Sequence, residues 1–85
     1  MVTVLYRPNS EHERDTLEFV RRLKGEQQVD CKLVDVDSRE AASLIELYDV
    51  TRYPGIVVTK GDGTPLQTWQ GDLPLVSEVA YFARS

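Results

Sequence analysis

Few side chains in this 85-residue chain are able to carry nucleophilic, redox or metal chemistry. It contains one cysteine, Cys31, and one histidine, His12. A single cysteine cannot form an internal disulfide, and zinc sites need several cysteine or histidine ligands at fixed spacings. The sequence therefore predicts no structural disulfide, no metal site and no cofactor, and the fold must rest on apolar packing.

Ser10, His12 and Asp15 are the one set whose residue types match a hydrolytic triad. They fall within about one and a half turns of a predicted helix, where residues two apart do not face each other. Ser10 and Glu13 instead have the spacing of a capping box, in which the serine hydroxyl accepts from the Glu13 amide and the Glu13 carboxylate reaches back. We therefore interpret these residues as helix-capping and solvent-exposed.

Cys31 is flanked by Val29 and Leu33 in a segment that reads as a strand. A cysteine in such a setting behaves as a small apolar residue, and a buried thiol is inert. We expect Cys31 to be buried and to react with thiol reagents only slowly in the native state.

The elements that must position these side chains follow from the apolar pattern. It predicts four strands, Val2–Tyr6, Val29–Val36, Gly55–Thr59 and Thr64–Gln70. It also predicts three helices, one from the Ser10 capping box to Gly25, one from an Asp37-Ser38 cap to Tyr48, and one with Pro74 in its first turn that runs to Ala83.

The predicted order is β-α-β-α-β-β-α. The first two strands are joined by a helix and should be parallel, and Gly61-Asp62-Gly63 should form a tight hairpin turn between the last two. We expect an α/β domain with a four-stranded mixed sheet, the first and third strands central and helices on both faces. Trp69 lies on the predicted last strand, at a sheet edge, and should pack under a helix.

Composition limits the classes of partner. The formal net charge is −4, which argues against nucleic acid because phosphate binding needs a basic face. No apolar run approaches a membrane span, and the N-terminal residues lack the pattern of a secretory leader. One unpaired cysteine suits a reducing compartment. We expect one domain over residues 1–85, cytoplasmic, with no nucleic-acid or membrane partner, and monomeric or weakly self-associating.

At this point the chain resembles the thioredoxin and glutaredoxin superfamily. The element order matches the minimal thioredoxin fold over essentially the whole chain. The segment from Tyr48 through Tyr53-Pro54 to Val58 is similar to the family's passage from its second helix into its third strand, where the family proline is cis. The hairpin turn at Gly61-Asp62-Gly63 and the glycine at position 71 are similar as well. The resemblance implies the thioredoxin fold and a cis Tyr53–Pro54 peptide bond.

The resemblance breaks where the family carries its redox cysteines. Those enzymes place Cys-x-x-Cys, or one cysteine, between the first strand and the first helix, where the helix N-terminus stabilises a thiolate. The corresponding stretch here, from Arg7 to His12, has no cysteine. Ser10 cannot replace one, since a hydroxyl does not undergo disulfide exchange. The resemblance therefore carries over the fold and not the redox activity.

Two hypotheses of function follow. In the family, the residue before the cis-proline offers its backbone to an extended peptide or to glutathione, in the manner of an added strand. The first hypothesis is accordingly a non-catalytic module that binds a protein or peptide in a groove formed by Arg7, Pro8, Asn9, Ser10, Tyr53, Pro54, Gly71 and Asp72. The alternative is a thiol- or glutathione-dependent oxidoreductase that acts through Cys31. The purely structural interpretation of Pro54 is that it only shapes the turn into the third strand.

Overall fold

A computed structural model describes all 85 residues of the chain. Seven elements follow one another along it: β1 (Val2–Tyr6), α1 (Glu13–Gln27), β2 (Cys31–Asp35), α2 (Arg39–Tyr48), β3 (Gly55–Thr59), β4 (Pro65–Gln70) and α3 (Val76–Ala83). The predicted order, β-α-β-α-β-β-α, is confirmed.

The four strands form one mixed sheet in the order β2-β1-β3-β4. β1 is parallel to β2 and antiparallel to β3, and β3 is antiparallel to β4. The two central strands are buried along almost their whole length, as strands covered on both faces should be. The predicted sheet, with the first and third strands central and a β3–β4 hairpin, is confirmed.

Helices cover both faces of this sheet and divide the core into two layers. The first layer packs α1 and α3 on the sheet and consists of Val2, Val4, Phe19, Leu23, Ile56, Val58, Val76 and Val79. The second layer packs α2 on the opposite face and consists of Leu5, Val34, Val36, Ala41, Val50 and Val57. Trp69 is half-buried against the first layer, and its ring meets that of Phe82 edge to face at 5.7 Å. Its predicted place under a helix is confirmed.

The start of α1 differs from the prediction. The helix begins at Glu13, and the residue at its N-cap, His12, makes no side-chain capping bond. The Ser10 hydroxyl donates to the carbonyl of Arg7 instead, so the predicted capping box does not form. The first turn is stabilised from inside the helix, where the buried hydroxyl of Thr16 donates to the His12 carbonyl at 2.7 Å.

The other boundaries shift by a few residues. α1 continues through Gly25 and ends at Gln27; its C-cap, Gln28, has a left-handed backbone (φ +55°), and the Gln28 N–H donates to carbonyls of the last turn. β2 begins two residues later and ends one residue earlier than the predicted Val29–Val36, and the Val29 N–H before it is bonded to the Leu23 carbonyl in α1. Pro74 precedes the N-cap of α3, Leu75, and so lies just outside the helix.

Candidate functional site

The loop between β1 and α1 is held by hydrogen bonds among its own residues and by an ion pair with Asp37, just after β2. The backbone of Asn9 adopts φ +62° and turns the chain. The Arg7 N–H donates to Nε2 of His12 at 3.0 Å, and the Arg7 guanidinium pairs with the Asp37 carboxylate at 3.0 Å. Ser10 and His12 therefore both contact Arg7. Neither is arranged as a nucleophile and its base, and His12, expected to be exposed, is half-buried.

The segment before β3 contains a cis peptide bond between Tyr53 and Pro54. Pro54 is buried, and its carbonyl accepts from the Gly71 N–H at 3.0 Å, which fastens this segment to the end of β4. The Tyr53 side chain is half-buried against the second core layer. The backbone N–H and C=O of Tyr53 bond to no other group of the chain. This half-buried residue therefore has one donor and one acceptor that no other group of the chain uses.

A glutamine at the end of β4 holds the chain that leads to Pro54. Gln70 Oε1 accepts from the N–H groups of Thr51 at 2.8 Å and of Arg52 at 3.3 Å, and its Nε2 donates to the Asp49 carbonyl at 3.2 Å. Arg52 also binds Gln70 through its side chain, because its Nη2 donates to the Gln70 carbonyl at 3.1 Å. Its guanidinium lies over Gly71 (φ +88°), where an added Cβ would come within 3.2 Å of Cζ.

Sequence reasoning missed both Gln70 and Arg52. Both are ordinary polar residues at the ends of elements or in a loop, and neither residue type indicates which group it binds. The bonds that join them span 18 or more residues along the chain, and only the β3–β4 register reveals them.

The strand register brings the three segments of the predicted groove to one end of the sheet. Leu5 pairs with Gly55, and Gly55 pairs with Gln70. The loops that adjoin these residues are thus neighbours, spaced by about 5 Å per strand. Arg7, Asn9 and Asp72 are exposed, Pro8, Ser10, Tyr53 and Gly71 are half-buried, and Pro54 is buried. We call this surface the candidate groove, defined by Arg7–Ser10, Tyr53–Pro54 and Gly71–Asp72. It is shallow, with no enclosed cavity.

Cys31 lies at the opposite end of the sheet. It pairs with Val2 at the start of β1, whereas the candidate groove adjoins the strand's other end, four residues or about 13 Å away. Its side chain is half-buried against the first core layer, less covered than predicted. Burial, and secondarily the nearby Asp30 carboxylate, raises the pKa of the Cys31 thiol to about 11. The group is therefore a thiol rather than a thiolate at neutral pH.

Other kinds of site are missing from the surface. No three histidine, cysteine, aspartate or glutamate side chains come together in a way that could hold a metal ion. None of the three helices is both long enough and apolar enough to cross a membrane.

Solved structures with the same arrangement of strands and helices include thioredoxins and a designed protein. Thioredoxin 1 from Thermosipho africanus superposes with a TM-score of 0.69 at 13% identity, over 98% of this chain and 89% of that one. Thioredoxin O2 from Arabidopsis thaliana, in its oxidized state, gives 0.71 at 18% identity, over 98% and 70%.

The chain has the thioredoxin fold. A designed protein matches it as well, with a TM-score of 0.69 at 27% identity, over 98% of this chain and 71% of that one. No protein-family profile and no curated protein sequence match the chain. Within this thioredoxin fold, the stretch between β1 and α1 has no cysteine, and the single thiol stands on the edge strand β2.

Proposed function

We propose that this thioredoxin-fold domain is a non-catalytic module that binds an extended segment of a protein or peptide in the candidate groove. The observation that carries the proposal is the unpaired backbone of Tyr53. Free N–H and C=O groups beside a half-buried side chain are what an added strand uses, with backbone bonds giving affinity and neighbouring side chains giving selectivity.

The fixed geometry around Tyr53 supports this proposal. Gly71 holds Pro54 from one side, and the Gln70 side chain holds Thr51 and Arg52 immediately before it. A site whose backbone is already fixed loses less entropy on binding, so more of the contact energy appears as affinity. The proposal places the module in the cytoplasm, where an unpaired cysteine stays reduced.

The state of Cys31 speaks against the alternative, a thiol- or glutathione-dependent oxidoreductase. With its pKa raised to about 11, the thiol is ionised in only about one molecule in ten thousand at neutral pH. No second cysteine is present to resolve a mixed disulfide. We expect no reduction of insulin or of a mixed disulfide by the protein. Thiol-dependent turnover that Cys31→Ser abolishes would favour the oxidoreductase instead.

Binding can be tested by NMR with peptides selected from a phage-displayed random heptapeptide library. We expect a selected peptide to shift the amide resonances of Tyr53 and Gly71 and of the Arg7–Ser10 loop, and to slow hydrogen exchange at the Tyr53 amide. Asp72→Trp should block the candidate groove and weaken binding at least about tenfold, which is a loss of 1.4 kcal/mol or more.

Glu46→Trp is the matched control, because Glu46 is an exposed acidic residue on α2, away from the candidate groove. It should leave affinity unchanged. The proposal is wrong if selected peptides shift α2 or β2 instead, or if Asp72→Trp binds as well as the unmodified protein.

A further inference from the structure

The backbone of Arg7, the first residue of the candidate groove, is held on both sides by its own loop. Its N–H donates to Nε2 of His12 at 3.0 Å, and its carbonyl accepts from the Ser10 hydroxyl. Its guanidinium pairs with the Asp37 carboxylate. These three contacts fix the loop from Arg7 to Ser10, in which Asn9 adopts a left-handed backbone.

His12 is itself fixed in place from inside α1. Both the N–H and the hydroxyl of the buried Thr16 donate to the His12 carbonyl, at 3.0 and 2.7 Å. The half-buried imidazole reaches back to Arg7, five residues earlier in the chain. The bond from Arg7 to His12 therefore joins the loop of the candidate groove to the start of the helix.

This bond can form in only one charge state of the imidazole. A neutral imidazole has one nitrogen that accepts and one that donates, so Nε2 accepts from Arg7 when the proton is on Nδ1. A protonated imidazole donates through both nitrogens and cannot accept. Protonation of His12 therefore sets two donors against each other and breaks the bond. The contacts of Arg7 with Ser10 and Asp37 do not involve the imidazole.

We infer that the charge of His12 regulates the candidate groove. Neutral His12 holds the Arg7–Ser10 loop in the conformation that receives an extended peptide, and protonation releases the loop and weakens binding. The inference rests on the proposed function and adds its regulation by pH. Histidine is the side chain whose ordinary charge change falls between about pH 5 and 8, and His12 is the only histidine of the chain. Peptide affinity should therefore fall as the pH is lowered through this range.

The charges around His12 set the pH of this transition. The charged side chains of its own segment and of the candidate groove with its ion pair are of both signs: Glu11, Glu13, Asp15, Asp37, Asp72, Arg7 and Arg52. Carboxylates favour the imidazolium, whereas guanidinium groups and the positive end of the α1 dipole disfavour it. These charges move the pH of the transition, but they do not change which form of the imidazole accepts. An α-amino group also titrates near the top of the range, but that of Met1 lies at the far end of β1, where it donates to the Thr59 carbonyl.

The loop can be followed by NMR without any peptide. At about pH 8 we expect the ring nitrogens of His12 to show the Nδ1–H tautomer and the Arg7 amide to be protected from hydrogen exchange. As His12 is protonated, the Arg7 amide resonance should shift with the same midpoint. The protection factor of this amide should fall about fivefold, as expected for the loss of one hydrogen bond.

Peptide affinity is measured by isothermal titration calorimetry at about pH 8 and about pH 5.5, with a selected heptapeptide that lacks histidine and has blocked termini. We expect the affinity of the unmodified protein to be about fivefold weaker at the lower pH. His12→Gln supplies an uncharged acceptor and should bind with the higher affinity at both pH values. His12→Lys supplies only donors and should bind with the lower affinity at both.

A matched control separates the hydrogen bond from the charge. Adding Glu11→His to His12→Gln puts a titrating imidazole at the neighbouring, exposed position while the loop keeps an uncharged acceptor. This double variant should bind without pH dependence between the two values. A pH dependence equal to that of the unmodified protein would overturn the inference, because charge alone would then account for it.

Two other results would also overturn the inference. One is an Arg7 amide that does not respond to protonation of His12, and the other is equal peptide affinity at both pH values. Neither result bears on whether peptides bind the candidate groove, so the proposed function would stand. If no selected peptide shifts the Tyr53 amide at either pH, the proposed function is wrong, and the inference about its regulation is wrong with it.

Discussion

Cys31 should react slowly with iodoacetamide in the folded protein, because its thiolate is scarce and its side chain is half-buried. The pKa of the thiol is raised from an ordinary value of 9.0 to about 11, mainly by burial and secondarily by Asp30. Two pH units mean about 100-fold fewer thiolates at neutral pH than a free cysteine has. A more basic thiolate is a better nucleophile, so each thiolate reacts roughly six- to tenfold faster, which offsets part of this loss. We therefore expect Cys31 to be labelled about tenfold more slowly than a free cysteine. Restricted access of the reagent to the half-buried side chain should slow it further.

The dependence on pH gives a sharper test than the rate alone. Labelling should accelerate about tenfold for each pH unit from about 7 to 10 and show no plateau near pH 9. In the protein unfolded in urea, Cys31 should be labelled fast, and the labelling rate should level off as the pH passes the ordinary thiol pKa of 9.0. A useful control is Ala42→Cys in a Cys31→Ser background, because position 42 is exposed on α2. Equal rates for the folded, unfolded and control cysteines would show that burial does not shift this group.

The same shift makes stability depend on pH. Since the folded protein holds the Cys31 proton up to about pH 11 and the unfolded chain releases it near 9.0, the unfolded state binds fewer protons between these values. The free energy of unfolding should therefore fall as pH rises through this window. Cys31→Ser should lack that part of the decline, and an identical decline in the variant would contradict the reasoning.

Three further substitutions test the local structure. Ser38→Ala removes the hydroxyl that accepts the Ala41 N–H at the N-cap of α2 and should cost about 1 kcal/mol in urea denaturation, whereas Ser10→Ala, which removes no cap, should cost less. Gly71→Ala places a Cβ at φ +88° against a guanidinium and should cost about 1–2 kcal/mol, while Gly61→Ala, with open space around it, should be nearly neutral; equal costs would refute the assigned strain. Gln70→Ala should cost about 1 kcal/mol and speed exchange of the two amides before Tyr53, and unchanged exchange would mean that its side chain does not hold this segment.

The fold was predictable from sequence because its signals are local and redundant. β1 and β3 are short apolar runs rich in β-branched residues, bounded by Pro8 and by Gly61. Both helices that pack on the first layer carry apolar residues at helical spacing. Handedness and hairpin rules then leave few arrangements for seven such elements.

The ends of α1 were not predictable, because each depends on a competition that spacing does not show. Ser10 has the residue type and position of a cap, yet its hydroxyl has a closer acceptor in the Arg7 carbonyl once Asn9 turns the chain. Gly25 looks like a terminator, yet an exposed glycine inside a helix costs only about 1 kcal/mol, and the left-handed position falls to Gln28. Tertiary and loop contacts outweighed a modest local preference at both ends.

The candidate groove was predictable as a set of segments but not as a set of contacts. The sequence placed a proline before β3 and a glycine after β4, and the sheet brings them together through the bond between Pro54 and Gly71. It did not indicate that Gln70 and Arg52 hold the segment between them, since contacts 18 or more residues apart carry no local signal.

The candidate groove does not depend on any thiol. Its three segments adjoin because Leu5, Gly55 and Gln70 are in register, and the bonds that fix them run between backbone groups and the Gln70 side chain. Disulfide exchange needs something different, a thiolate held at the N-terminus of α1, where this chain has the closed loop from Arg7 to His12. Strand addition needs only the free donor and acceptor of Tyr53. The unpaired backbone of Tyr53 and the single thiol of Cys31 thus lie on separate segments of this thioredoxin fold.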